Sequence, residues 1–133
     1  MFVTLILTLL PSAQNLIVNG DFETNSAAGC EFNLPNGTFT AKMTGCVGFG
    51  TNLGSGELDI MEDPAGCGYG PGGPVGATKI GLACDADADV DAFTMTLTSA
   101  LTSGESYTLS FWAYSHISGF SPSIAGIDIG LAT

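Results

Sequence analysis

Two alternating runs joined by a short glycine-containing connection constrain this chain more than anything else in it. In residues 92–99, Phe93, Met95 and Leu97 fall on one side and Thr94, Thr96 and Thr98 on the other. Residues 106–116 read SYTLSFWAYSH, which puts Tyr107, Leu109, Phe111 and Ala113 on one side and Thr108, Ser110, Trp112, Tyr114 and His116 on the other. A period of two marks a half-buried strand, so the first side of each run is expected to face a core. The connection, residues 101–105, turns at Gly104 and makes the two strands neighbours. With 19 Gly and only 2 Lys plus Arg in 133 residues, the rest of the chain suits short strands and turns and is too poor in charge for a set of amphipathic helices. The expected fold is therefore all-β, in one domain.

Residues 2–10, FVTLILTLL, match the core of a signal peptide in length and are too short to cross a bilayer. Cleavage after Gln14 leaves a secreted domain over residues 15–133; a buried first strand is the competing reading. In residues 15–23, Leu16, Val18 and Phe22 alternate as a strand kinked near Asn19 and Gly20. Residues 24–56 are weakly patterned, with 37–44 as their one strand candidate. A short strand is expected at 57–60, and a loop over the Gly- and Pro-rich stretch 63–76, which carries Cys67 and Tyr69. Further strands are expected at 77–84 and 124–131. The sequence stops at Thr133, directly after the last of these, so the closing strands of the sheet and further domains of the same chain are expected beyond it.

The four cysteines lack C-x-x-C spacing and the chain has one His, His116, so the pattern favours disulfides over a zinc site. An even number in an exported domain implies disulfides. Of the three connectivities, Cys30 to Cys46 and Cys67 to Cys84 are favoured, because each closes a loop within a poorly patterned region.

A formal charge of -11 repels phosphate backbones and anionic lipids, so nucleic acid and membrane insertion are excluded as partners. Asp85, Asp87, Asp89 and Asp91 alternate in residues 84–93, but Val90 and Thr96 stand where a calcium-binding loop needs Gly and Glu. The stretch is either a solvated acidic turn or a loose site for a divalent ion. His116 is the one imidazole, and the adjacent Ser115 points to the opposite face of a strand, so no nucleophile and base are paired and no enzyme is expected. Binding is better supported. Sugars present flat apolar faces edged by hydroxyls, which aromatic rings and short polar groups recognise together. Trp112, Tyr114 and His116 supply rings, Thr108 and Ser110 supply hydroxyls, and Tyr69 reaches in from the Gly-Pro loop. The competing reading makes the Trp112 side a second buried layer.

Two phrases carry a resemblance. NLIVNGDFE at residues 15–23 and GESYTLSFWA at 104–113 resemble the first strand and a central strand of the galactose-binding-like jelly rolls found in secreted carbohydrate-binding modules and adhesins. GELDIMEDPAGCGYG and TKIGLAC are also similar to segments of bacterial cell-surface proteins. The resemblance implies a two-sheet antiparallel β-sandwich lacking its last strands. It also implies a non-catalytic module that binds a glycan or cell-surface polysaccharide; a spacer or stalk domain with no ligand is the alternative. It further implies a structural calcium ion on Glu23, with Asp21 as companion and the remaining ligands on the last strand.

Overall fold

The computed structural model describes residues 14–50, 58–63, 66–70, 76–82, 90–114 and 128–131. Its regular elements are strands β1 (Cys30–Leu34), β2 (Cys46–Gly48), β3 (Leu58–Glu62), β4 (Thr78–Gly81) and β5 (Phe93–Met95), one helix α1 (Asn36–Lys42), and a single 3-10 turn at Gly66–Gly68. The strands form two antiparallel sheets, one ordered β1-β3-β4 and the other pairing β2 with β5. This is a β-rich architecture with one short helix among the described residues, consistent with the all-β expectation.

The second sheet is extended by the N-terminal stretch. Ile17 bridges Leu97, Val18 N donates to Thr96 O at 2.9 Å, and Thr98 N donates to Leu16 O at 2.7 Å. The chain then turns: Asn19 and Phe22 both take positive φ, 54° and 63°, which is where the expected kink lies. Asn19 holds that turn with its side chain, Oδ1 accepting from Thr24 N and Nδ2 donating to the carbonyls of Thr24 and Thr44. β5 shows the predicted two sides, Phe93, Met95 and Leu97 half-buried and Thr94, Thr96 and Thr98 exposed. Gly104 sits at φ 88° in the expected turn, closed by Glu105 N to Thr102 O.

Residues 37–44 are not a strand. Pro35, at φ -54°, starts α1, and its carbonyl accepts from Phe39 N at 2.9 Å. Helical geometry brings Phe39 and Met43, four residues apart, to one side, and both are buried. Their burial outweighs the poor helix propensity of Gly37, Thr38 and Thr40. Thr40 Oγ1 donates to Asn36 O and accepts from Gly48 N, joining the helix to β2.

Phe39, Met43, Cys46, Leu58 and Ile60 form the core, with Phe22, Leu34, Ile80, Phe93 and Met95 packed against it. Both sheets and the helix therefore meet in one cluster, where each fully buried large side chain contributes about 1.5–3 kcal/mol. Phe93 is the centre of its rings, 5.8 Å from Phe39 and 6.1 Å from Phe22.

Two further expectations are corrected. Cys30 is bonded to Cys67, with Cα atoms 5.8 Å apart, and Cys46 is a free, buried thiol of the core. The favoured pairing failed because Cys46 belongs to a packed strand; the bond ties β1 to the Gly-Pro loop instead. Residues 106–114 form no strand among the described residues, and Tyr107, Leu109 and Phe111, the expected core side, are exposed. No described element packs over them. Residues 1–13, most of the expected signal peptide, and residues 115–127 lie outside the described residues.

Candidate functional site

β1 and the Gly-Pro loop are stitched together twice. Cys30 and Phe32 are two residues apart on β1, and so share a side of the strand; Cys67 and Tyr69 are two apart on the loop. The disulfide joins the first of each pair. The second of each pair meets ring to ring, Phe32 and Tyr69 lying 5.5 Å apart at 59°, within the range of favourable aromatic pairing. Both rings are exposed.

The loop backbone is fixed beneath them. Cys67 takes φ 56°, and its N–H donates to Asp63 Oδ2 at 3.3 Å. The Tyr69 carbonyl accepts from Lys79 Nζ at 2.9 Å. Burial lowers the Lys79 pKa, and the neighbouring Asp63 charge opposes that effect. Gly70, at φ 93°, lies directly against the ring of Tyr114, leaving no room for a β-carbon. Tyr114 thereby lies beside the loop that carries Tyr69, while remaining 60% exposed. Two residues earlier Trp112 is 82% exposed, so it is no part of a buried layer among the described residues. Thr108 and Ser110 are exposed as well; His116 lies outside the described residues.

The result is an exposed ring pair, Phe32 and Tyr69, with the exposed Tyr114 ring against the adjoining Gly70 and the exposed Trp112 two residues before Tyr114 in sequence. No family model, curated protein or solved structure matches the chain. Function must be read from this surface alone. Its rings offer flat apolar contact, and the charges near it, Lys79 and Asp63, are engaged with the loop.

Of the residues expected to hold calcium, Glu23 and Asp21 are neighbours in the N-terminal turn. Glu23 Oε1 accepts from the backbone N–H groups of Ala77 and Thr78 at 2.8 and 2.7 Å, and Gly76 packs against the same carboxylate. Asp21 Oδ1 accepts from Glu23 N. Glu23 thus clasps the start of β4 to the N-terminal turn. Asp85, Asp87 and Asp89 lie outside the described residues. Among the described residues one group, Cys30, Asp63 and Cys67, has metal-ligand atoms in proximity. Its two sulfurs are bonded to each other and offer no thiolate.

Phe32 was missed because it falls in the weakly patterned stretch 24–56, whose one strand candidate was 37–44. Its signal was its position two residues after a cysteine, the same offset that Tyr69 has from Cys67.

Proposed function

We propose that this chain is an extracellular, non-catalytic carbohydrate-binding or adhesion module built on a galactose-binding-like jelly roll, which binds neutral glycans of a cell surface or polysaccharide. The observation that carries the reading is the exposed ring pair of Phe32 and Tyr69, pre-organised by the Cys30–Cys67 bond, with Tyr114 against the adjoining Gly70 and Trp112 two residues before it in sequence. Rings held by a covalent staple lose little freedom on binding, and that favours affinity for a weakly interacting ligand such as a sugar. The antiparallel sheets, the disulfide and the two matching phrases support the jelly roll and the secreted location. The net charge of -11 favours neutral sugars over uronic acids.

The test is retention on insoluble neutral polysaccharides and a glycan array, comparing the wild type with Trp112→Ala and Tyr69→Ala. Each ring is expected to contribute about 0.5–1.5 kcal/mol, so each variant should lose up to roughly tenfold in affinity. Trp112 is 82% exposed, so its variant should keep the wild-type melting temperature, whereas Tyr69→Ala also loses the ring pair with Phe32 and should melt somewhat lower. A wild type that retains no glycan, or variants that bind as well as it does, would leave the spacer reading in place.

A further inference from the structure

Among the described residues, 106–114 belong to neither sheet. No hydrogen bond joins residues 108–114 to any described residue. Their apolar members are presented outward, Tyr107, Leu109 and Phe111 being 46, 53 and 57% exposed. Backbone N–H and C=O groups with no partner among the described residues, beside alternating apolar side chains, have the character of an unfinished sheet edge. The first half of the run also lines a groove of about 1200 Å³, whose other walls include Leu16, Ile17, Leu97, Leu101 and Leu131.

The run is complementary to itself. Set antiparallel to a copy about a two-fold axis at Ser110, it places Leu109 opposite Phe111 and Tyr107 opposite Ala113, all four from the apolar side. On the other side Thr108 meets Trp112. Antiparallel neighbours of this kind stabilise a sheet pair by pair, and an isologous contact closes at two copies without propagating. Charge singles out the same surface. Two molecules of charge -11 repel one another, yet no Asp, Glu, Lys or Arg lies between Glu105 and Asp128, so the run can meet its copy without opposing like charges.

We infer that residues 106–114 are a dimerisation edge, pairing antiparallel with the same residues of a second copy while apolar side chains of each enter the other's groove. The inference does not rest on the glycan reading. In this arrangement Trp112 stays on the side away from Leu109 and Phe111.

Sedimentation equilibrium of the full, oxidised chain over a concentration series tests it. The wild type should approach twice the monomer mass, and rising salt should tighten the dimer by screening the net charge. Ser110→Pro removes an N–H at the axis, and Leu109→Lys brings two like charges together; both should return the mass to that of one chain. Ser110 and Leu109 are exposed, so each variant should keep the wild-type far-UV circular dichroism. A wild type that stays monomeric at its highest soluble concentration overturns the inference. So does a dimer that survives both substitutions, and so does a monomer that takes up an unrelated peptide of alternating apolar residues, which would make a foreign strand the occupant.

Discussion

Removing the Cys30–Cys67 bond is the most informative single perturbation of this fold. The two cysteines are 37 residues apart in sequence. In the chain-entropy model, a crosslink over that separation restricts the unfolded chain by about 4 kcal/mol. The folded state also loses the constraint that holds Phe32 against Tyr69, while the core cluster, which contains neither cysteine, is untouched. Cys30→Ser/Cys67→Ser should therefore unfold at lower urea concentration, with a stability loss near 4 kcal/mol, and near-UV circular dichroism of the aromatic rings should weaken before the far-UV signal changes. Cys46→Ala is the control. It breaks no covalent link and removes one buried sulfur, so its loss should be nearer 1 kcal/mol. Burial pushes the Cys46 thiol up to about 11, and alkylation at pH 8 should leave it unlabelled until the chain unfolds. A double-variant loss below about 1 kcal/mol, or a larger loss for Cys46→Ala than for the double variant, would refute the reasoning.

Two further perturbations address the core and the acid limb of stability. Phe39 is completely buried at the meeting of α1, β3 and Phe93, so Phe39→Ala should cost about 3–5 kcal/mol in urea unfolding. Glu31 accepts from Lys42 Nζ at 2.8 Å, and that hydrogen bond, helped by the Ala28 amide, holds its carboxyl below the ordinary 4.5. A depressed folded-state pKa contributes stability above the ordinary value, which is lost as pH falls through the folded one. Glu31→Gln should accordingly flatten the decline of melting temperature below pH 4.5, the pair being partly exposed and contributing no more than about 1 kcal/mol.

The parts of the fold that sequence revealed are those in which local pattern and final burial agree. β5 and its threonine face, β4, the turn at Gly104 and the kink at Asn19 all follow from periodicity or turn chemistry over a few residues. α1 did not, because Thr and Phe favour strands and its helical form depends on Phe39 and Met43 finding a common core. Only Pro35 and the four-residue spacing of those two side chains gave notice of it. β1 was hidden by Glu31 and Asn33, polar residues in a strand that is exposed at Cys30, Phe32 and Asn33, and its existence depends on pairing with β3. Disulfide connectivity is a property of three-dimensional proximity and has no local signature. At the candidate site, sequence named Tyr69, Trp112 and Tyr114, and the contact of Tyr114 with Gly70 brings the first and last of these to one region. It missed Phe32 for the same reason that it missed β1.

The turn at Asn19 also bears on how this protein ages. The chain has two Asn-Gly dipeptides, Asn19-Gly20 and Asn36-Gly37, the sequence at which asparagine most readily deamidates when the following backbone nitrogen attacks the side-chain carbonyl. Folding restrains both. Asn19 is held by Thr24 and Thr44, and Asn36 donates to Gly50 O at 2.8 Å while its Oδ1 is buried with no hydrogen-bond partner among the described residues. Conversion of either to aspartate would set a carboxylate against a backbone carbonyl where an amide donor had stood. The hydrogen bonds that shape the turn and the helix start therefore act as a chemical clock stop, and each excursion to the unfolded state lets that clock run.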